Sequence, residues 1–263
     1  MMNNQSVWRK LKRPYLILVI VGLILAGLAA CTNEPSRAGS TNTVTPTQAT
    51  PSPIPSTTLE DDASQWGIFY DGGRAVAKLD NVSSPSIDGT ALKISLVSGQ
   101  PYTGIHAYRN QAPANTATNF ELNLSFYFSA VTPIQALEFT MNKWVNNQRW
   151  EWALQWEHIS DGTPQQGNPP TWRLWTGKSW QDIGVRQQLN TNTWHRLHLK
   201  GDISKGQIHY ISFSCDDTSA NLAQIFAPVA NPGDKLAVAV QLDGDNQEHP
   251  YQVYIDQVDF QWS

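Results

Sequence analysis

The stretch that decides the fold spans residues 135–157 and reads QALEFTMNKWVNNQRWEWALQWE. Two runs that alternate between apolar and polar residues flank the pair Asn146-Asn147. Asparagine tolerates the positive φ that a two-residue hairpin turn requires, so the pair predicts the turn of a β-hairpin. This turn places Val145 opposite Gln148, and it thereby fixes the register of every pair of residues behind it.

The predicted register sorts the side chains of the hairpin onto two faces. The apolar face receives Leu137, Phe139, Met141, Trp152, Leu154 and Trp156. The polar face receives Glu138, Thr140, Asn142, Glu151, Ala153, Gln155 and Glu157. A slip of one residue would mix the two sets, and a sheet with one buried face resists such a slip. Seven of the eleven tryptophans lie between Trp144 and Trp180, and this register assigns two of them, at 152 and 156, to the core.

Alternation with a period of two continues along the chain, and no stretch after the first 59 residues shows a convincing helical period. The further predicted strands are Ala91–Val97, Tyr102–Tyr108, Phe120–Phe128, Trp194–Lys200, Gln207–Ser214, Lys235–Asp243 and Tyr251–Trp262. Many short strands joined by turns predict an all-β fold, an antiparallel β-sandwich or jelly roll. We expect one such domain over residues 60–263.

The polar face of the hairpin is the predicted binding surface. In the strand around Lys235–Asp243 the apolar alternation leaves Gln241 on the polar side, and Trp172 and Leu174 as core residues leave Arg173 and Trp175 there. If these strands share one sheet, the candidate ligand-binding residues are Glu138, Asn142, Glu151, Gln155, Glu157, Arg173, Trp175 and Gln241. Amides and carboxylates hydrogen-bond sugar hydroxyls, and an indole stacks on the apolar face of a pyranose.

Residues 1–30 have the features of a targeting segment. A basic start precedes the apolar run Tyr15–Ala30, which is short for a span of the ~30 Å hydrocarbon core and typical of a signal peptide. The run ends Leu28-Ala29-Ala30-Cys31, which resembles the lipobox of bacterial lipoproteins. That resemblance implies that Cys31 is lipidated, and the alternative is an uncleaved membrane anchor. Both place the rest of the chain on the extracytoplasmic face of the cell membrane.

Residues 31–59 predict a disordered linker. From Thr32 to Leu59, 17 of 28 residues are Ser, Thr or Pro, which bury too little apolar surface to offset their ordering entropy. If Cys31 carries lipid, Cys215 has no disulfide partner, and its place in an apolar-alternating run predicts a buried free thiol.

The charge of the chain argues against nucleic acid as a partner. The formal net charge is −4, and without the four basic residues of the leader, which holds no acid, 14 basic residues face 22 acidic ones, a net charge of −8. An acidic exported chain without a basic patch offers nothing to a phosphate backbone.

Strand pattern and composition over residues 66–263 resemble the concanavalin A-like jelly rolls, which include laminin-G-like modules, carbohydrate-binding modules and glucanases. The resemblance implies a carbohydrate partner. The glucanases carry Glu-x-Asp-x-x-Glu or Glu-x-Asp-x-Glu on one strand, whereas this chain has Glu138-Phe-Thr-Met-Asn142, which lacks the Asp and the second Glu.

Three functions remain open at this point. The leading expectation is a membrane-tethered domain that binds a glycan without cleaving it. The second is a glycoside hydrolase or polysaccharide lyase on the same fold. Glu138 and Glu157 are its candidate catalytic pair, because the register makes them diagonal neighbours roughly 7 Å apart at the backbone, a spacing compatible with acid and base roles. The third is a structural protein of the envelope without a ligand. The oligomeric state is left open.

No cofactor is expected, with one exception. Asp243-Gly-Asp245-Asn246-Gln-Glu248 presents oxygen atoms at alternate positions, as calcium loops do, which makes Asp243 and Asp245 candidate ligands. The alternative is a plain Asp-Gly turn. His195 and His198 lie three apart in a predicted strand, hence on opposite faces, and cannot share a metal ion locally.

Overall fold

The structure is a computed structural model, and it describes residues 58–71, 75–160, 163–164, 169–247 and 249–263. The predicted signal segment, and the linker up to residue 57, lie outside the described residues. Within the described part of the chain, no helix is long and apolar enough to cross a membrane.

The described residues form strands almost throughout, after two short 3-10 helices at Leu59–Asp61 and Ala63–Gln65. In chain order the strands are β1 (Gly67–Asp71), β2 (Val76–Val82), β3 (Ala91–Ser98), β4 (Gly104–Gln111), β5 (Asn119–Phe128), β6 (Ile134–Val145), β7 (Gln148–Glu157), β8 (Ile159–Ser160), β9 (Thr163–Pro164), β10 (Thr171–Trp175), β11 (Trp180–Arg186), β12 (Trp194–Ser204), β13 (Gln207–Cys215), β14 (Thr218–Asn221), β15 (Ile225–Phe226), β16 (Val229–Ala230), β17 (Lys235–Gly244) and β18 (Tyr251–Trp262).

Two antiparallel sheets make up the fold. Sheet A has the order β1-β4-β17-β6-β7-β10-β11, with β16 paired to β7. Sheet B has the order β14-β13-β12-β5-β18-β3-β2, with β15 paired to β13, and β8 and β9 form a separate pair. Hairpins such as β6–β7 alternate with neighbours that are distant in sequence, such as β4 and β17 or β5 and β18, so the chain crosses repeatedly between the two layers. The predicted antiparallel β-sandwich of the jelly-roll type is therefore confirmed.

The predicted hairpin has the register that its turn specifies. Asn146 and Asn147 have φ angles of 52° and 59°, and Val145 pairs with Gln148. The ten pairs of the ladder continue without a shift to Ala136 opposite residue 157. All six residues of the apolar face are fully buried, among them the two tryptophans assigned to the core.

The core lies between the two sheets and is rich in aromatic contacts. Across the layers, the ring centroids of Phe126 and Phe139 are 4.8 Å apart, and those of Phe120 and Trp152 are 4.7 Å apart. The indole of Trp152 lies against Gly201, where an added Cβ would come within 2.3 Å of it, so β12 must carry glycine there. The free thiol predicted at Cys215 is confirmed as buried, and burial raises the pKa of that thiol.

One predicted strand begins in the wrong place. The alternation of residues 102–108 predicted a strand from Tyr102, whereas β4 begins at Gly104 and continues to Gln111. The reason is a turn: Tyr102 has a positive φ of 62°, and the backbone N–H of Thr103 donates to the carbonyl of Gln100 at 3.0 Å.

A buried phenol joins two strands of sheet A where their ladder ends. β7 and β10 pair as far as Leu154 opposite Leu174. Beyond that pair, the backbone N–H of Ala153 donates to the hydroxyl of Tyr210 at 2.9 Å, and this hydroxyl donates to the carbonyl of Trp175 at 3.0 Å. Tyr210 thus holds the two strands together beside the candidate site described next.

Candidate functional site

The face of sheet A that points away from sheet B carries the predicted polar residues, and it is called the outer face here. A central row crosses it, in which the pairing of five neighbouring strands aligns His106, Gln241, Glu138, Gln155 and Arg173. The alternation in the sequence predicted the last four of these residues on one face of one sheet, and the registers of the five strands place them there.

The central row is closed by bonds among its own side chains. Gln155 donates from Nε2 to Glu138 Oε1 at 2.6 Å, and Arg173 donates from Nε to Gln155 Oε1 at 2.8 Å. Arg173 also forms an ion pair with Glu157, with 2.8 Å between Nη1 and Oε1. The sequence predicted these side chains on an open, wet face. Glu138, Gln155 and Glu157 are buried instead, with Glu138 6% exposed, and Arg173 is half-buried.

The burial of Glu138 in the central row changes the pKa of its carboxyl group. Burial raises the pKa of Glu138 well above its usual value, and the nearby charge of Asp243 raises it further, while the hydrogen bond from Gln155 acts against both. The side chain of Glu138 is also hydrogen-bonded to that of Asp243, which accepts a bond of 2.6 Å from Gln241. Neither Glu138 nor Glu157, the candidate catalytic pair, lines the pocket described below.

Beside the central row, the same outer face opens into a pocket of about 380 Å³. Its floor is formed by small side chains, because Ala237, Ala239 and Thr140 stand where the central row has long ones. The two alanines leave room above the sheet, and the pocket lies over them. The pocket is lined by Ile68, Phe69, His106, Tyr108, Asn110, Thr140, Asn142, Trp144, Arg149, Glu151, Asn231, Lys235, Ala237 and Ala239.

Aromatic rings form part of the pocket lining, and glycines set two of their positions. Tyr108 lies over Gly67, where an added Cβ would come within 2.6 Å of the ring. The indole of Trp144 lies against Gly233 in the same way, at 2.9 Å. The Nζ of Lys235 is 4.8 Å from the centroid of the Trp144 ring and 5.9 Å from that of Tyr108, so one ammonium group lies near both rings.

Polar groups in the pocket have unfilled bonding capacity. Asn142 is 6% exposed, and its Oδ1 has no hydrogen-bond partner among the described residues. The Nε of Arg149 is also buried without a partner there. A buried acceptor without a donor costs about 1–3 kcal/mol, so these atoms are suited to a ligand that supplies the missing bonds.

Glu151 adds a carboxylate to this pocket, and Arg149 and Trp175 bind it. Its carboxylate forms an ion pair of 2.8 Å with Arg149 and accepts a hydrogen bond from the indole of Trp175. Burial raises the pKa of Glu151, and Arg149 and Trp175 oppose that rise. Trp175 is half-buried on the outer face, and its ring lies 5.3 Å from Trp180.

Of the eight candidate ligand-binding residues, only Asn142 and Glu151 line the pocket. The sequence analysis did not single out the other polar and aromatic members of its lining, among them His106, Tyr108, Trp144, Arg149 and Lys235. Extending the hairpin register would have placed Trp144 opposite Arg149. The remaining three lie on β4 and β17, whose pairing with each other no local pattern reveals.

In the candidate calcium loop, groups of the loop itself contact the carboxylate of Asp245. Asp245 accepts from the backbone N–H groups of Gln247 and His249 at 3.0 and 3.1 Å, and its Oδ2 lies 2.6 Å from His249 Nδ1. This is the arrangement of a plain aspartate turn, and Glu248 lies outside the described residues. The opposite facing of His195 and His198 is confirmed: they contact Asp216 and Glu121, at 2.7 and 2.9 Å.

The sequence matches no protein-family model and no curated protein. Several solved structures are similar to this one, each with a TM-score below 0.5. An alginate lyase, Aly36B, has a TM-score of 0.46 at 11% identity, over 66% of this chain and 81% of that one. An endo-beta-1,4-glucuronan lyase from Trichoderma reesei has a TM-score of 0.45 at 12% identity, over 74% and 95%. A seed lectin of Lotus tetragonolobus has 0.46 at 12%, over 75% and 99%. These likenesses concern the fold alone.

Proposed function

We propose that residues 60–263 form a glycan-binding domain, and that the pocket on the outer face of sheet A is its saccharide site. The observation that carries this proposal is the acceptor Oδ1 of Asn142, which is buried at the pocket without a donor. A sugar hydroxyl supplies such a donor. The pocket volume of about 380 Å³ falls in the range of small-ligand sites, roughly 300–1,000 Å³.

The composition of the pocket supports a saccharide over an apolar ligand. Tyr108 and Trp144 supply rings on which the apolar face of a pyranose can stack, over an alanine floor. Asn110, Asn142 and Asn231 supply amides that both donate and accept, which matches the hydroxyl groups of a sugar ring.

The full-length protein on a glycan array tests this proposal, followed by calorimetry with the saccharide that binds. Asn142→Leu removes the acceptor at nearly the same volume, and we expect it to weaken binding at least about tenfold, the equivalent of ~1.4 kcal/mol. Asn123→Leu is the matched control, since Asn123 lies on β5 in sheet B, away from the pocket. An array without any hit would refute the proposal, and full affinity in the Asn142 variant would move the site elsewhere.

A polysaccharide lyase is the second candidate function, and one observation favours it. His106, Tyr108 and Lys235 line the same pocket. A lyase removes the C5 proton of a uronate with a base, and the C4–O bond breaks as the C4=C5 double bond forms. The departing O4 keeps the electron pair and takes a proton from an acid, while cationic or amide groups balance the carboxylate. Ultraviolet absorption of unsaturated ends from a polyuronate, abolished by Tyr108→Phe, would establish it. A saccharide that binds and is never cleaved would exclude it.

The membrane tether is part of the proposed function. The basic start, the apolar run and the Leu28-to-Cys31 motif support a lipid at Cys31 on the extracytoplasmic side. Incorporation of labelled palmitate into the wild type and its loss in Cys31→Ser would bear this out. A label that persists in that variant would contradict it.

A further inference from the structure

We propose that the saccharide bound in the pocket carries a 2-acetamido group, and that Asn142 and Arg149 bind the N–H and the carbonyl of its amide. This inference rests on the proposed function and names the class of sugar that the same site takes. Two buried atoms at the pocket lack a hydrogen-bond partner among the described residues: the acceptor Oδ1 of Asn142 and the donor Nε of Arg149. A ligand group that satisfies both atoms must donate one hydrogen bond and accept another.

The register of the hairpin brings these two residues to the same end of the pocket. Asn142 pairs with Glu151, and Arg149 lies two residues before Glu151 on β7, so Asn142 and Arg149 are diagonal neighbours. Such neighbours lie roughly 7–8 Å apart at the backbone. The ion pair of 2.8 Å between Arg149 Nη2 and Glu151 Oε2 draws the guanidinium toward Glu151, and hence toward the position opposite Asn142. One small ligand group therefore lies within reach of both residues.

A secondary amide has the hydrogen-bonding pattern that these two atoms require. Its N–H donates and satisfies Oδ1 of Asn142, and its carbonyl accepts and satisfies Nε of Arg149. The N–H and the carbonyl of a trans amide point in opposite directions, and each reaches a partner about 2.9 Å away. A trans amide therefore bridges two partner atoms that lie on its two sides, which is the arrangement that two diagonal residues supply.

The methyl of an acetamido group finds an apolar surface at the same end of the pocket. Ala237 pairs with Asn142 on the neighbouring strand β17, and Ala239 continues the floor of the pocket beside it. The indole of Trp144, two residues from Asn142 on β6 and on the same face, also lines the pocket. A methyl group against these side chains is removed from water, and a sugar that has only hydroxyl groups gains no such burial.

The charges of the pocket argue against a charged substituent at this position. The carboxylate of Glu151 is already bound by Arg149 and by the indole of Trp175. The ammonium group of an amino sugar would therefore find little attraction there, and the charge of Lys235 would repel it. Lys235 would attract a carboxylate, but a carboxylate only accepts hydrogen bonds and would leave Oδ1 of Asn142 without a donor. A neutral group that both donates and accepts meets neither difficulty.

Four tetrasaccharides with the same β-1,4-linked gluco backbone test the inference by calorimetry on the full-length protein. The tetramers of chitin, chitosan and cellulose differ only at C2, where they carry an acetamido group, an amine and a hydroxyl. A β-1,4-glucuronan tetramer has the C2 hydroxyl of cellulose and a carboxylate at C6. We expect the chitin tetramer to bind at least about tenfold more tightly than each of the other three, because it alone satisfies both buried atoms.

Two variants connect this preference to the two atoms. Arg149→Lys keeps a cation for Glu151 and removes the Nε donor, and Asn142→Leu removes the acceptor at nearly the same volume. Each should lower the ratio of chitin-tetramer to cellulose-tetramer affinity roughly fivefold, since each removes one of the two bonds that only the acetamido group makes. Arg196→Lys, at an exposed position on β12 in sheet B, is the matched control and should keep the ratio of the wild type.

The outcomes separate this inference from the proposed function. A cellulose or glucuronan tetramer that binds as tightly as the chitin tetramer, or array hits that contain no 2-acetamido sugar, would overturn the inference and leave a glycan-binding domain. An array without any hit would overturn both. A general loss of folded protein in a pocket variant would weaken both tetramers alike, so the ratio reports the two bonds. A ratio that neither pocket variant changes would overturn the roles of Asn142 and Arg149.

Discussion

The central row and the pocket lie side by side on the same strands and the same face of sheet A, yet they differ in how their polar groups are satisfied. In the central row, Glu138, Gln155 and Arg173 bond one another and leave little for a ligand. In the pocket, alanines replace the long side chains, and Asn142 keeps an unfilled acceptor. The difference shows that polarity alone does not distinguish a satisfied network from a surface that has unfilled bonding capacity beside empty volume.

The largest effect should come from breaking the central row. Arg173→Met removes one cationic partner of the nearly buried Glu157 and a hydrogen-bond donor to Gln155, and we expect a loss of about 3 kcal/mol in the free energy of unfolding by urea. Lys200→Met is the control, because its ion pair with Glu121 on sheet B is exposed and should cost less than about 1 kcal/mol. Equal losses in the two variants would mean that the central row is not the closed network described here.

A pair of amide substitutions contrasts the two regions directly. Gln155→Leu strips both Glu138 and Arg173 of a partner and should lower the free energy of unfolding by about 2 kcal/mol. Asn142→Leu removes an acceptor that has no donor and should raise it by about 1 kcal/mol. Urea unfolding of the two variants checks both signs. A loss of stability in Asn142→Leu would show that its Oδ1 is satisfied in the folded protein.

The sequence specified the hairpin because the information there is local. Asn146-Asn147 set the turn, and the alternation behind it left only one register with a clean apolar face. The pocket depends on β4 and β17, whose pairing brings Tyr108 beside Ala239. These residues are more than a hundred positions apart, and nothing in either strand names the other as its partner.

Alternation also did not reveal which polar positions would be covered. A period of two tells which side chains leave the core, but Glu138 and Asn142 leave it on the same side. Whether the hydrogen-bonding groups of such a residue are satisfied depends on its neighbours across the sheet. Glu138 lies beside Gln241 and Gln155, whereas Asn142 lies beside Ala237. The sequence also did not reveal the bulge at Gln257, where the pairing of β18 with β5 shifts, because the apolar alternation of β18 resumes after it.

The protonation of Glu138 gives a pH test of the central row. Its pKa is raised in the folded protein, so the folded state binds more protons than the unfolded one above pH ~4.3, and stability falls as pH rises from there. Glu138→Gln should remove the part of that fall that Glu138 contributes, up to ~1.4 kcal/mol per pH unit, in urea unfolding followed from pH 5 to 8.

Glu60→Gln, measured in the same way, separates the contribution of Glu60 to the pH dependence of stability from that of Glu138. The pKa of Glu60 is about 7 in the folded protein, so its own contribution to the fall should end near that pH. If Glu138→Gln left the whole pH dependence of the wild type in place, Glu138 would be charged in the folded state and the central row would be open to solvent.

The smallest effect should come from the rim of the pocket. Lys235 lies over the ring of Trp144 at 4.8 Å, and its aliphatic stem shields part of that indole. Lys235→Met keeps the stem and removes the charge, so the free energy of unfolding should fall by only about 0.5 kcal/mol. The consequence for binding separates two kinds of ligand: a neutral saccharide should lose little affinity, whereas an acidic one should lose roughly tenfold and become insensitive to salt. A stability loss as large as that of Arg173→Met would show that the rim is built like the central row, and the contrast between the two regions would then fail.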